Sequence, residues 1–498
     1  MSFPIISAQQ AAEYVKDGYN VGFSGFTASG TPKVVPPAIA ELAEREHAAG
    51  RPFKISMFTG ASTNDFVDGA LARAKAVNFR TPYQSCKDMR AALNCHEAHY
   101  ADAHLSELAQ KMRYGFFGKL NVAILEVADY NDNGEVVLGT GLGIAPTIVA
   151  MADIVILEHN TTINPKLRGF HDVYMPLDPP YRREIPIYKP SDRIGEVVLK
   201  IDPKKIVGVV ESTNPGHVAP FSPADEVTMR IGANVCDFLA HELRAGRIPK
   251  EFLPMQSGVG NVANAVLAGL GENDEIPPFQ MYTEVVQDSV LELMKHGKCR
   301  FASTCSLSIS DEALHDFYEN IDFFRDKIVL RPGEISNNPE IVRRLGLITM
   351  NTALEADIFG NVNSTHVLGT KMMNGIGGSG DFTRNAYLSI FSCPSVTKGG
   401  TISNIVPMAS HIDHSEHSVD VIITEQGVAD LRGLDPIQRA EKIIENCANP
   451  TYRPLLREYL SMGKGGQTPH TLHAALAFHE EFMNSGNMAA TDFSKYAK

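Results

Sequence analysis

Four short stretches in the first half of the chain recur, in the same order, in the second half. Ser24-Gly25 is matched by Ser257-Gly258, and Phe58-Thr-Gly60 by Tyr282-Thr-Glu284. Ile124-Leu-Glu-Val-Ala-Asp-Tyr-Asn-Asp-Asn-Gly-Glu-Val-Val-Leu-Gly-Thr140 is matched by Ala353-Leu-Glu-Ala-Asp-Ile-Phe-Gly-Asn-Val-Asn-Ser-Thr-His-Val-Leu-Gly-Thr370. Ile154-Val-Ile-Leu-Glu158 is matched by Val421-Ile-Ile-Thr-Glu425. One such pair could arise by chance, but four in one order point to a duplicated unit whose spacing has drifted through insertions. Within each copy, short β-prone runs alternate with helical stretches, which predicts mainly parallel sheets covered by helices. The expected fold is therefore α/β. It has two tandem duplicated domains, residues 1–215 and 216–498, with the active site between them.

Individual elements follow from local pattern. Strands are expected at Phe53–Ser62, ending in a sharp polar turn, at Leu120–Val127 and at Ala152–Glu158, with a helix at Lys33–Glu44. Asn164–Arg193 is rich in Pro, Tyr and Arg and lacks periodicity, so it reads as a long ordered loop or extended arm. Asn214-Pro-Gly-His-Val-Ala-Pro-Phe-Ser-Pro-Ala-Asp225 breaks structure and marks the domain boundary, within Thr213–Ala224, before a helix at Asp225–Ala245. Beyond Arg432, helical patterns at Asp435–Asn446, Tyr452–Met462 and Thr471–Asn484 suggest a C-terminal cap.

The two copies differ most informatively where the first has Gly60 and the second Glu284. Pro277–Leu293 reads as an apolar, β-prone run ended by that carboxylate and followed by a helix start, which puts Glu284 at the C-terminal end of a strand. Open α/β sheets place their ligand crevices there. A single strand-end Glu is usually a solvated surface group, so the flanking loops decide its meaning. Upstream, Gln256-Ser-Gly-Val-Gly-Asn-Val-Ala-Asn-Ala265 is a glycine turn running into a helix, whose first N–H groups lack intrahelical partners. Downstream lie Glu334-Ile-Ser-Asn-Asn-Pro-Glu340 and a second glycine loop, Met372-Met-Asn-Gly-Ile-Gly-Gly-Ser-Gly-Asp-Phe382.

Together these stretches resemble the acetyl-CoA hydrolase/transferase family of fused class I CoA-transferases, over nearly the whole chain. The resemblance implies that Glu284 is a nucleophile that becomes a glutamyl-CoA thioester, with Asn337 and the Gly378 N–H forming an oxyanion hole. It implies CoA contacts at Val259, Gly260, Asn261, Val262 and Ala263, and at Asn374, Gly378 and Lys398. Ser62 and Glu425 are implied to meet the substrate carboxylate or line the acyl pocket. No permanently bound cofactor is expected, since coenzyme A or acyl-CoA enters as substrate and exchanges with acetate, propionate or succinate. The family also implies a homodimer. Two other readings stay open: an acetyl-CoA hydrolase using the same Glu284, and a non-catalytic CoA-binding protein.

Composition narrows the partners. A net charge of −13 argues against a general nucleic-acid or membrane surface, because polyanion binding needs a basic face. The first residues lack a basic region and a long apolar core, and no window approaches a membrane span, so a cytosolic protein is expected. Seven cysteines (Cys86, Cys95, Cys236, Cys299, Cys305, Cys393, Cys447) contain no Cys-x-x-Cys pair and fit reduced thiols. Gly375-Ile-Gly-Gly-Ser-Gly380 matches G-x-G-x-x-G, but the preceding strand and the later ribose-binding acid of a dinucleotide fold are missing. His411-Ile-Asp-His-Ser-Glu-His417 could in principle bind a metal. It precedes a strand, so a polar turn with hydrogen-bonded imidazoles is expected and no metal site is assigned.

Overall fold

The structure, a computed structural model, describes residues 3–218 and 224–496. Part of the expected boundary, residues 219–223, lies outside them. By internal packing the chain forms two compact units. The first comprises Met1–Pro220, Gln280–Leu345 and Asn374–Asp381; the second comprises Phe221–Phe279, Gly346–Met373 and Phe382–Lys498. A single cut near residue 215 does not reproduce this division, because the segment carrying Glu284 packs with the N-terminal residues.

Among the described residues the first unit carries a nine-stranded sheet: β1 Asn20–Phe23, β2 Ile55–Phe58, β3 Val77–Thr81, β4 His99–Tyr100, β5 Val122–Tyr130, β6 Glu135–Leu138, β7 Ile154–Asn160, β8 Leu199–Lys200 and β9 Ile206–Ser212. Pairing runs β4-β3-β2-β1-β5, with β7 and then β9 continuing from β5. All of these pairs are parallel. Seven consecutive residues of β5, Val122–Ala128, are buried, as expected for a parallel strand covered on both faces. Only β6 and β8 join antiparallel. The β5–β6 hairpin turns at Asn131–Gly134, where Asn131 Oδ1 accepts from the Asn133 and Glu135 N–H groups and Gly134 has φ +77°. The helix Val35–Ala48 starts with two prolines in its first turn. The buried Glu158 carboxylate accepts from the Lys33, Val34 and Val35 N–H groups at that helix's N-terminus.

Backbone bonds explain why Gln280–Leu345 belongs to this unit. Leu142 N–H donates to Cys305 O (3.1 Å), Leu307 N–H to Thr140 O (2.9 Å), Leu330 N–H to Phe170 O (2.8 Å) and Gly333 N–H to Gly143 O (2.8 Å). Within the segment, Cys299–Thr304 pairs in parallel with Ile328–Leu330, and Val285–Val286 with Ser306–Leu307. The Pro/Tyr/Arg arm is ordered, as expected, and is anchored by buried polar contacts. Asp172 pairs with Arg331, both essentially inaccessible. Asp172 also accepts from the Ile194 and Gly195 N–H groups, and Arg344 donates to the carbonyls of Ile185 and Ile187.

In the second unit, Met255–Ser257, Ile348–Thr352, Leu388–Ser392 and Val421–Thr424 pair in parallel in that order, and Gly427–Asp430 adds antiparallel. Glu355–Asp357 and Val362–Asn363 form an antiparallel hairpin over a turn with Gly360 at φ +99°. This hairpin answers β5–β6 in the first copy. Asp225 caps the helix Glu226–Arg244, and the C-terminal helices form at Pro436–Asn446, Arg453–Met462 and Ala477–Ser485. The expected helix over Thr471–Asn484 is split, its first turn being the 3-10 segment Leu472–Ala474. Ile443, Leu456, Tyr459 and Phe478 of these helices share one buried cluster with Ile405, Ile422 and Phe391.

Candidate active site

Glu284 sits two residues past the strand Phe279–Tyr282 and one before Val285–Val286. Its backbone is held at this break, since its carbonyl accepts from Cys305 N–H (3.1 Å) and from Thr304 Oγ1 (2.9 Å). Its side chain keeps partial exposure. Even so, the surrounding protein withdraws the carboxyl from water and pushes its pKa from 4.5 up to about 7, and the hydrogen bond from Asn337 only partly offsets this.

Asn337 ends the short helix Gly333–Ser336 and is fully buried. Its Nδ2 donates to Glu284 Oε2 at 2.6 Å, and its Oδ1 accepts from Ser336 Oγ at 2.8 Å. Tyr282, next but one before Glu284, donates its hydroxyl to Ile335 O at 2.5 Å and so ties the strand to this helix. Arg113 reinforces it by gripping Glu334 (2.7 and 2.8 Å) together with Asp178 of the arm.

Gly378 meets the same carboxylate from the other glycine loop. A Cβ at this position would lie 1.8 Å from Glu284 Oε2 and 2.5 Å from Asn337 Nδ2, so no side chain fits. A Cβ on Gly375 would lie 2.3 Å from the Tyr100 hydroxyl, so this loop is glycine-rich because backbone approaches side chains closely. The three residues expected at the reaction centre, Glu284, Asn337 and Gly378, thus meet within one unit. Beside them Phe26, Ala61, Leu105, Val285 and Cys305 form an apolar cluster against which Tyr83 packs. Burial, and next the Glu284 charge, push the Tyr83 hydroxyl pKa up to about 12. Burial likewise lifts the Cys305 thiol to about 12, which leaves it an inert thiol.

Gly60 occupies the position in the first copy that Glu284 holds in the second, two residues beyond its strand. A Cβ there would fall 2.3 Å from Gly143 Cα and 2.8 Å from Gly25 O. Close backbone packing is therefore a sufficient reason for glycine at 60. Ser62 is fully buried, with its Oγ 3.4 Å from Asp68 Oδ2 and its carbonyl accepting from Arg80, which is paired with Asp68. Asn374 turns its Nδ2 onto the Gly375 carbonyl (3.0 Å).

The remaining expected contacts belong to the second unit. Gly260, at φ +121°, is the N-cap of the twelve-residue helix Asn261–Glu272, which has no side-chain cap. Val259 is exposed and space is open around Gly260, so Asn261, Val262 and Ala263 form a helix start suited to an anion. Lys398 is exposed, with its ammonium 5.2 Å from the Phe482 ring centroid. Glu425 accepts from Ser395 N–H (2.8 Å), from the Ser395 hydroxyl and from Gln426 Nε2 (3.0 Å). The His411–His417 stretch is a polar turn. His411 lies 3.2 Å from Asp413 and stacks on His366 at 3.9 Å, and His414 lies 3.4 Å from Ser364 Oγ. Among the described residues, no group of three or more His, Cys, Asp or Glu side chains is placed to hold a metal ion. Likewise, no helix among them is long and apolar enough to cross a membrane.

Asp381 and Ser106 are site residues that the sequence did not reveal. Asp381 is 3% exposed and accepts from Ser106 N–H (3.1 Å) and Ser106 Oγ (2.5 Å). Burial, with a further push from the Glu284 charge, raises its pKa to about 7. The one signal was a carboxylate closing the Gly-Ser-Gly run; Ser106 offered none.

A mainly parallel α/β scaffold that presents a strand-end carboxylate to an amide N–H and a glycine backbone has the parts needed for acyl transfer through a carboxylate. The first and second halves of the chain match the models of the acetyl-CoA hydrolase/transferase N-terminal domain, over residues 3–211, and C-terminal domain, over residues 314–460. The chain belongs to the acetyl-CoA hydrolase/transferase family. It is 50% identical to the propanoyl-CoA:succinate CoA transferase of Escherichia coli, covering 97% of this chain and 98% of that one. It is 48% identical to the succinyl-CoA:acetate CoA-transferase of Clostridium kluyveri, covering 97% and 90%, and 40% identical to the acetyl-CoA hydrolase of Schizosaccharomyces pombe, covering 95% and 94%. In fold it is similar to RipA from Yersinia pestis (TM-score 0.70, 20% identity) and to the 4-hydroxybutyrate CoA-transferase of Porphyromonas gingivalis (TM-score 0.62, 23% identity). Each likeness covers 91% of this chain and 96% of the other.

Proposed function

We propose that this protein is a CoA-transferase that moves CoA between a short-chain acyl-CoA and a carboxylic acid, with acetate or propionate and succinate as the exchanging acids. The observation that carries the reading is the Glu284 carboxylate held at 2.6 Å by Asn337 Nδ2 and pressed against the Gly378 backbone. Similarity to transferases acting on these acids at about half identity supports the choice of substrates.

In this reading Glu284 attacks the thioester carbonyl, giving a tetrahedral oxyanion that collapses to a mixed anhydride and the CoA thiolate. The thiolate then attacks the Glu284 carbonyl of the anhydride, which releases the first acid and leaves a glutamyl-CoA thioester. The acceptor carboxylate attacks that thioester, and the returning thiolate attacks the acceptor's acyl carbonyl to give the new acyl-CoA and free Glu284. Each oxyanion needs fixed donors, a role assigned to the Asn337 amide and the Gly378 N–H, each worth on the order of 3 kcal/mol. No step needs a bound metal or redox group.

Val259–Ala263, Asn374 and Lys398 are assigned to CoA, where the uncapped helix start and the ammonium suit its phosphates. Contact with CoA far from the reacting carbonyl can be used to position it. Ser62 and Glu425 are assigned to the acid substrate, a role that requires each to exchange a present partner, Asp68 or Ser395, for the ligand. The reading includes a homodimer working in the cytosol.

Incubation with acetyl-CoA, with and without succinate, tests the reading by following succinyl-CoA and free thiol together. Succinyl-CoA formed at the expense of acetyl-CoA is the expected result. Equal thiol release without succinate would identify a hydrolase, and no turnover of either kind a CoA-binding protein.

A further inference from the structure

We infer that the C-terminal helical cap is part of the CoA-binding apparatus, with Phe482 a positioning residue that holds the Lys398 ammonium over its ring. The inference rests on the reading of Lys398 as a CoA contact and extends it to a cap that otherwise has no assigned role. Lys398 and the cap helices belong to the same compact unit.

Lys398 sits at the tip of an antiparallel hairpin in which Val396–Thr397 pairs with Ile402–Ser403. Its φ of +47° is left-handed, like those of Gly399 (+66°) and Gly400 (+91°). Glycine reaches that region freely, but a residue with a Cβ does so at a cost. Such a backbone persists where its surroundings hold it, and it gathers at ligand-binding sites. Here the cap does the holding. Tyr452, fully buried, donates its hydroxyl to the Gly400 carbonyl at 2.7 Å, and the Met488 N–H donates to the Thr401 carbonyl at 2.9 Å. Val396 and Ile402 pack against the buried cluster that contains Tyr452 and Phe478.

The side chain is held as well. Phe482 lies one turn beyond the buried Phe478 on the helix Ala477–Ser485 and so follows the same face. It packs against that cluster while staying partly exposed, and the Lys398 ammonium stands 5.2 Å from its ring centroid. A cation at this distance is attracted to the ring face. The attraction leaves the three N–H donors of the ammonium available to phosphate oxygens. Among the described residues no acceptor hydrogen-bonds this ammonium and no carboxylate pairs with it. Space is open beside Gly399 and Gly400, where an added Cβ would meet nothing within 4 Å, so a bulky anion can reach the tip. A free lysine side chain would have to be ordered when CoA binds, whereas one resting on a ring is partly ordered beforehand. That advantage is the same in the ground and transition states, so it belongs to KM.

Steady-state transfer from acetyl-CoA to saturating succinate tests this, with thermal unfolding measured on every variant. Phe482→Leu keeps an apolar side chain but removes the π face, and is expected to raise KM for acetyl-CoA about two- to fivefold with kcat changed less than about 1.5-fold. Phe482→Tyr, which keeps an aromatic face, should stay within about 1.5-fold of the parent in both constants. In a Lys398→Ala background, itself expected to raise that KM, Phe482→Leu should add less than about 1.5-fold, because its effect runs through the ammonium. The inference would be overturned by an equal rise in both backgrounds, or by a Tyr variant as weak as the Leu one. A Phe482→Leu effect confined to thermal stability, with KM unchanged where Lys398→Ala raises it, would overturn it too. If Phe482→Leu does not fold, Tyr452→Phe, which deletes only the hydroxyl on the Gly400 carbonyl, gives the same comparison in the two backgrounds. A Lys398→Ala enzyme with unchanged KM would overturn the CoA reading of Lys398 and this inference together, so the two failures are told apart.

Discussion

Asn337 Nδ2 lies 2.6 Å from Glu284 Oε2, across 53 residues of sequence, and the backbone of Gly378 closes on the same carboxylate so tightly that a Cβ would stand 1.8 Å from it. A carboxylate, an amide donor and a glycine backbone thus share one point.

Removing the amide is expected to slow chemistry far more than binding. Asn337→Ala should lower kcat by roughly 10²-fold or more with a smaller change in KM, as measured by steady-state transfer from acetyl-CoA to succinate. Gly378→Ala should lose activity at least as severely, since its methyl group would displace the carboxylate itself. Full activity in Gly378→Ala would contradict the close approach.

The pH dependence follows from burial. Glu284 and Asp381 are both raised to about 7, burial being the larger cause for each. If Glu284 attacks as an anion, kcat/KM should rise with pH through about 7 and level off above it. Because the two acids lie together, the apparent values belong to the pair. Stability should show the opposite trend. A carboxyl whose folded pKa exceeds its unfolded 4.5 contributes stability that is present below 4.5 and lost as pH rises through 7. Glu284→Gln should therefore exceed the parent in stability above pH 7, by about 2–3 kcal/mol at most, and differ little near pH 4. The chain has no tryptophan, so circular dichroism during denaturant unfolding is the suitable readout.

The arm offers a prediction about stability. Arg331 and Asp172 are both buried, and Arg331 also donates to Ser303 Oγ (2.8 Å) and to the carbonyls of Pro190 and Asp192. Asp172→Ala would strand that guanidinium in the interior and should cost about 3–5 kcal/mol. A melting temperature equal to the parent's would show that the arm is not anchored there.

Much of this was legible in sequence because the signals were local. The apolar run at Leu120–Val127 indicated the strand β5, and the carboxylate ending Phe-Gln-Met-Tyr-Thr marked a strand end. Prolines and an acidic cap bounded the helices at residues 35, 226 and 436. In sequence Gly60 stands out only by contrast with Glu284, whereas the structure shows Gly25, Gly60 and Gly143 packed backbone to backbone, a contact between three distant loops that no local pattern encodes. The same holds for Ser106 and Asp381, which are 275 residues apart and each unremarkable within its own stretch. The division of the chain also depends on pairings of the Gln280–Leu345 segment with residues near 140, 170 and 143, which alternation of strands and helices cannot supply.

Transfer should dominate hydrolysis. The apolar cluster of Phe26, Ala61, Leu105, Val285 and Cys305 beside Glu284 disfavours water near the reacting carbonyl. Thiol release from acetyl-CoA without an acceptor is expected to be at least about 100-fold slower than transfer to succinate, equivalent to roughly 2.7 kcal/mol. Comparable rates would favour the hydrolase.

Covalent loading of Glu284 is tested most directly by intact-mass and peptide mass spectrometry after incubation with acyl-CoA in the absence of an acceptor. A CoA adduct on the peptide carrying Glu284, absent in Glu284→Ala, is the predicted result. An adduct on another residue, or a Glu284→Ala enzyme that still transfers CoA at the parent's rate, would contradict it.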